Sequence, residues 1–194
     1  MKRVIYNLLI WIEIQTSKAI NYLPFKFWRV KYGKFPEIRG KCYIRNYGAI
    51  SFGTEVQINS NLESSQLGYY PRTILHTSQT GSIIIGDRCG LSNVCLNARQ
   101  MIILKQGVRL GAGVKIYDND FHDLYGNGRN VQDEKIPCSP VILEEGSFVG
   151  AGCIILKGVH IGANTIIGAG SVVTKSIPDN QVWAGNPARF IKER

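Results

Sequence analysis

From Leu143 to Pro178 the chain repeats one six-residue unit: LEEGSF, VGAGCI, ILKGVH, IGANTI, IGAGSV and VTKSIP. An aliphatic residue returns at every sixth position, at Leu143, Val149, Ile155, Ile161, Ile167 and Val173. A helix repeats its apolar face every three or four residues and a hairpin strand every two, so neither needs this period. A parallel β-helix does need it, because each short strand supplies one inward aliphatic side chain and the residues between strands turn a corner. Small residues, among them Gly150, Gly152, Gly158, Gly162, Gly168 and Gly170, recur where those corners fall.

The phase continues upstream with two breaks. Leu104, Leu110 and Ile116 are in register with one another, as are Ile85 and Leu91, but 19 residues part Ile85 from Leu104, which is a one-residue slip. From Asp118 to about Pro140 the pattern disappears altogether, in the polar and charged segment DNDFHDLYGNGRNVQDEKIPCSP. A long loop inside a regular solenoid points to function. The organisation expected is an N-terminal appendage over 1–45 and an all-β, parallel β-helical domain over 46–194, with an extruded loop at about 118–140.

A chain of 194 residues with 44% apolar residues accommodates one domain and an appendage. Its five cysteines form no CxxC pair and are odd in number, which argues for reduced thiols in a cytoplasm. Cys89, Cys95 and Cys153 fall in repeat strands or corners, whereas Cys138 lies in the loop. The net charge of +9 is concentrated at one end: ten basic residues between Met1 and Arg45 face only Glu13 and Glu37. Aromatic residues are interleaved with that charge, a mixture suited to a membrane interface or anionic carbohydrate lipids. The run VIYNLLIWIEI is interrupted by Asn7 and Glu13 and falls short of the roughly 20 residues of a spanning helix. It also lacks the small-residue cleavage site of a signal peptide. The simplest expectation is a short helix that caps the end of the solenoid, and peripheral contact with the inner face of a membrane is compatible with capping. No recognised motif accompanies the charge to suggest nucleic acid as a partner.

The chain has three histidines. His160 ends the unit ILKGVH and is expected at a solvent-facing corner, and His76, in YYPRTILHT, either lines a site or sits on the surface. His122 stands in the extruded loop among Asp118, Asp120 and Asp123. Histidine suits proton transfer near neutral pH. Asp118 and Asp120 are candidates to hold its ring, although alternating acids at a loop start also serve as solvated turn residues.

The hexapeptide units, the histidine-bearing loop and the C-terminal AGNPARFIK (Ala184 to Lys192) together resemble the hexapeptide-repeat acyltransferases. IYDNDFHDL from Ile116 and GYYPRTIL from Gly68 are similar to segments of bacterial capsule, O-antigen and exopolysaccharide sugar O-acetyltransferases. The resemblance covers roughly Gly48 to Arg194. It implies a left-handed β-helix, where general chain-handedness rules alone would favour right-handed crossovers. It also implies acetyl-CoA as co-substrate, no metal, a homotrimer with active sites between subunits, and a sugar acceptor that is nucleotide-linked, lipid-linked or polymeric.

By that resemblance His122 matches the catalytic base, which takes the acceptor hydroxyl's proton while the thioester is attacked directly. In the maltose and galactoside branch the histidine falls one residue earlier, where this chain has Phe121. Asn93, in GLSNVCL, matches an acceptor-binding asparagine, with a hydrogen-bonded turn as its alternative reading. Asp123, Arg129, Arg72 and His76 are further candidates for acceptor contact. Gly152, Gly168 and Ala169 would let coenzyme A approach the backbone, and Thr174, Lys175, Pro187, Arg189 and Lys192 align with positions that flank it. Phe148 stands where relatives carry tryptophan, suited to the pantetheine arm or to packing. Two other functions remain open at this stage: N-acetylation of a nucleotide-linked amino sugar, and a non-catalytic β-helical binding or scaffold protein. His122 with AGNPAR argues against the latter. Three scattered histidines do not make the ligand set of a metal-dependent enzyme of the same fold.

Overall fold

A computed structural model of the chain describes residues 2–61, 72–122 and 136–194. The chain opens with helix α1 (Lys2–Phe27) and continues as short strands. The first two turns of the solenoid are β1 (Lys31–Tyr32), β2 (Glu37–Gly40), β3 (Tyr43–Asn46), β4 (Ala49–Phe52), β5 (Gln57–Ser60) and β6 (Ile74–Thr77). The next two are β7 (Ser82–Ile85), β8 (Gly90–Ser92), β9 (Cys95–Ala98), β10 (Met101–Leu104), β11 (Arg109–Leu110) and β12 (Lys115–Tyr117). After the loop come β13 (Val141–Leu143), β14 (Phe148–Val149), β15 (Ile154–Ile155), β16 (His160–Ile161), β17 (Ile166–Ile167) and β18 (Val172–Val173), then β19 (Gln181–Ala184) and β20 (Arg189–Glu193).

Every third strand joins the same sheet. The first sheet runs β1-β4-β7-β10-β13-β16, the second β2-β5-β8-β11-β14-β17-β19-β20, and the third β3-β6-β9-β12-β15-β18. All pairings are parallel except β19 with β20, which folds back along the end. The result is a left-handed parallel β-helix, as expected. Inward apolar side chains stack in columns: Phe52, Ile85, Leu104, Leu143 and Ile161 under the first sheet, Ile44, Leu75, Leu96, Ile116, Ile155 and Val173 under the third. Each of these is buried, and burying such a side chain contributes about 1.5–3 kcal/mol.

The solenoid begins earlier than the sequence suggests. Strands β1 to β3 pair with β4 to β6, so the first coil lies at Lys31 to Asn46, inside the segment expected to be an appendage. Its period was hidden because the early strands are four residues long and the passages between sheets vary. The one-residue slip has the same origin. Leu91 to Leu96 is one residue shorter than the usual step, and Leu96 to Leu104 is two longer, because the corner from the third sheet to the first is widened at Ala98 to Met101.

Helix α1 docks by one short stripe, Ser17, Asn21 and Phe25, spaced four residues apart. Asn21 is wholly buried; its Nδ2 donates to Gly40 O at 2.9 Å, its Oδ1 accepts Cys42 N at 2.9 Å, and Gly40 N donates to Ser17 Oγ at 2.9 Å. Phe25 closes the coil end against Phe35 and Phe52, with ring centroids 5.0 and 5.6 Å away. The expected cap is therefore present. The earlier turns of the helix stand clear of it: Ile5, Tyr6, Leu8, Leu9 and Trp11 are each more than half exposed.

Candidate active site

The loop leaves the solenoid where the third sheet passes to the first, an edge called here the loop edge. Its neck is closed by an antiparallel bridge between Asn119 and Cys138, made of two backbone hydrogen bonds: Asp120 N to Pro137 O at 3.2 Å and Ser139 N to Asp118 O at 2.8 Å.

Asp118 does not orient a histidine. Its carboxylate is wholly buried and accepts three successive backbone N–H groups of the widened corner below, Arg99 at 2.8 Å, Gln100 at 2.8 Å and Met101 at 2.7 Å. A carboxylate so engaged satisfies the donors that a longer corner would otherwise bury without partners. Asp120 is also committed elsewhere, to Lys157 Nζ at 2.7 Å on the next coil. Both acids therefore shape the loop's base, and the expectation that they hold the His122 ring is corrected.

Phe121 adopts a left-handed backbone, with φ of 62°, and its N–H donates to Asn119 Oδ1 at 3.0 Å. That turn folds its ring onto Tyr117, with centroids 5.0 Å apart, and places His122 on the outside, exposed. Among the described residues nothing hydrogen-bonds the His122 ring. Asp123 and Arg129 lie outside the described residues.

The outer face of the third sheet beside the loop carries a row in register: Arg45, His76, Asn97 and Tyr117. His76 Nδ1 lies 3.2 Å from Asn97 Nδ2, and Tyr47 meets its ring edge-on at 6.0 Å. Partial burial, and then the Arg45 guanidinium, hold the His76 ring below the ordinary histidine range. Burial pushes the Tyr117 phenol up to about 12, with Cys95 adding to the effect, so it stays protonated. Arg72 is exposed at the start of this coil's third-sheet passage. Asn93 belongs elsewhere: it is buried in the corner between the second and third sheets, with φ of 49°, and its Nδ2 donates to Asn61 O at 3.4 Å. His160 begins a strand rather than a corner and faces Glu144, Nε2 to Oε1 at 3.0 Å.

The residues expected around coenzyme A are divided between edges. Gly152, Gly168 and Ala169 lie where the second sheet passes to the third, the glycine edge, and Phe148 is exposed on the second sheet nearby. A side chain on Gly168 would meet Ala184 Cβ at 2.9 Å, so that glycine also serves coil stacking, and Gly152, with φ of 71°, serves its turn. Thr174 and Lys175 are exposed on the loop edge, two coils beyond the loop neck. Pro187, Arg189 and Lys192 are exposed at the end of the solenoid, the last two on β20. The third sheet separates the loop edge from the glycine edge, so one chain does not bring His122 and Gly168 together.

A groove of about 520 Å³ lies apart from the loop, between α1 and the second sheet. Lys18, Lys34, Arg88 and Arg109 line it with Glu37 and Glu55, and none of the four cations is ion-paired among the described residues. Among the described residues, no group of three or more His, Cys, Asp or Glu is placed to hold a metal ion. Cys42, Cys89 and Cys153 are buried, burial pushing the first two thiols up to about 12 and about 11, whereas Cys138 is exposed.

Residues 140–175 match the family model described as bacterial transferase hexapeptide (six repeats). The chain is 28% identical over 172 residues, 85% of its own length and 82% of the relative's, to an Escherichia coli K12 protein named as a lipopolysaccharide biosynthesis O-acetyl transferase, WbbJ. It is 25% identical, with a TM-score of 0.65 and 84% of each chain covered, to a solved structure of AntD, an N-acyltransferase from Bacillus cereus, in complex with dTDP and coenzyme A. A hexapeptide-repeat acetyltransferase of Vibrio cholerae in complex with acetyl coenzyme A shares 28% identity with a TM-score of 0.53, over 61% of this chain and 63% of that one. These likenesses are to hexapeptide-repeat acetyltransferases, whose repeat and β-helical fold the chain shares.

Proposed function

We propose that the protein transfers acetyl from acetyl-CoA to a hydroxyl of a sugar in bacterial surface polysaccharide synthesis, with His122 as general base. The observation that carries this is the placement of His122: exposed at the tip of a neck stitched to two coils, with its ring engaged by no described residue. The coenzyme in the solved relatives supports the donor, and the name of the Escherichia coli relative supports the acceptor class. In the transfer the acceptor oxygen attacks the thioester carbonyl carbon as the imidazole takes the hydroxyl proton. The carbon–sulfur bond then breaks, and the imidazolium returns the proton to the leaving thiolate.

The division between edges supports a homotrimer in this reading. A second chain presenting its glycine edge to the loop edge of the first would complete a cleft from His122 to Gly168 and Ala169, and cyclic symmetry repeats it at each interface. The exposed first turns of α1, followed by Lys18, Lys26, Arg29, Lys31 and Lys34 and flanked by the basic groove, support docking on an anionic lipid surface from the cytoplasmic side. No described helix is long and apolar enough to cross a membrane.

The test is thiol release and product mass with acetyl-CoA and a panel of methyl glycosides, nucleotide-linked sugars, nucleotide-linked amino sugars and lipid-linked saccharide. A product one acetyl group heavier on oxygen is expected, and His122→Ala should slow it by about 10²- to 10⁴-fold. Transfer confined to the amino sugars would favour the N-acyl reaction of the AntD type, and full turnover in His122→Ala would remove the base from this loop.

A further inference from the structure

The amide network between His76 and the loop has only one direction in which every donor meets an acceptor. Asp118, held by three backbone N–H groups, only accepts, so Asn119 must present Nδ2 to it, at 3.0 Å from Oδ1. The other end of that amide agrees, since Asn119 Oδ1 receives the Phe121 N–H, which only donates. The same Nδ2 reaches Asn97 Oδ1 at 3.2 Å, which turns the Asn97 amide so that its own Nδ2 faces His76 Nδ1 at 3.2 Å. His76 Nδ1 must then carry a lone pair, and the ring's single proton sits on Nε2.

Nothing among the described residues accepts from that Nε2–H. The groups facing His76 are cationic or neutral: Arg45 on the strand below, Arg99 at the corner above, the Tyr47 ring and the Asn97 amide. No described carboxylate is positioned to draw a second proton onto it, because Asp118 is turned to the corner and Asp120 to Lys157.

We propose that His76 is a substrate-positioning residue, a neutral imidazole whose Nε2–H donates to an oxygen of the acceptor sugar. Asn97 and Asn119 set its tautomer and tie it to the turn that carries His122. This rests on the reading of His122 as the base. A sugar held by a donor on the sheet face has one hydroxyl directed towards the loop, and a ring that cannot accept a proton there does not compete with His122 for it. The network gives His76 and His122 opposite proton roles, one donor and one acceptor, and joins them through a rigid path.

The test has two arms on the full-length protein. Nitrogen-15 spectra of labelled histidine should show one ring protonated at Nε2 alone from neutral pH down to pH values where an exposed histidine is doubly protonated. Asn97→Asp, which offers a carboxylate to Nδ1, should move that proton and raise the ring's pKa. In thiol-release kinetics with methyl β-galactopyranoside, or with the best panel acceptor if it is faster, His76→Phe and His76→Leu, which both remove the donor, should raise the acceptor KM about tenfold, the scale of one hydrogen bond. The acetyl-CoA KM should stay within about twofold, and His76→Gln should recover part of the loss. A wild-type ring protonated at Nδ1, or an unchanged acceptor KM in both variants alongside an inactive His122→Ala, overturns the proposal. If His122→Ala were fully active, the reading of the site would fail, while the nitrogen spectra would still decide the tautomer.

Discussion

Asp120, one residue past the bridge that closes the loop, holds Lys157 of the following coil at 2.7 Å, so the base of the loop is fastened upwards as well as across. With side chains 20% and 34% exposed, such a pair contributes well under about 1 kcal/mol to global stability. Its expected effect is on the placement of the turn that carries His122.

Replacing Lys157 with Met should therefore lower kcat by about 5- to 20-fold, while the unfolding free energy changes by less than about 1 kcal/mol. Thiol-release kinetics and thermal unfolding on the same sample separate the two. A large loss of melting temperature with unchanged kcat would reverse this assignment.

Asp118→Asn should behave in the opposite way. Its amide puts N–H donors against backbone N–H groups that now face a carboxylate, at a cost of about 2–4 kcal/mol. Calorimetry should show the lowered transition.

His76 makes stability fall with acidity. Its folded pKa lies below that of a free histidine, so the unfolded chain takes up the proton first, and folding weakens as pH drops from the free histidine's pKa towards the folded one. Melting temperature compared at neutral pH and near pH 5 should show a steeper acid loss in the wild type than in His76→Gln. Equal slopes would mean that His76 does not contribute.

Mixing two inactive proteins tests the shared cleft. His122→Ala supplies an intact glycine edge, and Ala169→Arg, which fills the exposed corner, supplies an intact loop. If the sites lie between chains, refolded mixtures should recover about a quarter of wild-type activity, the fraction of interfaces with both good halves in a random trimer. No recovery would place both halves in one chain.

Truncation through Ile12 removes the exposed turns of α1 but leaves Ser17, Asn21 and Phe25 in place. The shortened protein should fold and turn over a soluble acceptor normally, yet lose sedimentation with vesicles containing anionic lipid. Retained sedimentation would assign the contact elsewhere.

The inward columns were legible where strands are two residues long and each passage takes six, from Leu143 onward. Between Ile85 and Leu104 they showed only as a slipped register, and before Ile85, where four-residue strands and uneven corners break the period, they were hidden, so the first coil passed as an appendage. His122 was legible because the loop interrupts a regular pattern. Asp118 and Asp120 were misread because composition shows charge near a histidine but not which backbone donors or lysine claim it. Asn97 and Tyr117 went unnoticed, although each follows an inward aliphatic in a third-sheet strand, as His76 does, and that offset was available in the repeat. The Asn119 amide could not be found this way, since its role depends on the turn at Phe121.

The neck from Asp118 to Ser139 has a consequence for how such a chain diversifies. Both ends of the excursion are pinned by main-chain hydrogen bonds and a salt link that do not depend on what lies between, and each coil touches only its neighbours. Doubling the intervening segment would cost only about 0.6 kcal/mol of closure entropy. The loop is thus a cassette: the stretch between His122 and Pro137 can be exchanged while the coils above and below, and the turn that carries His122, are inherited unchanged.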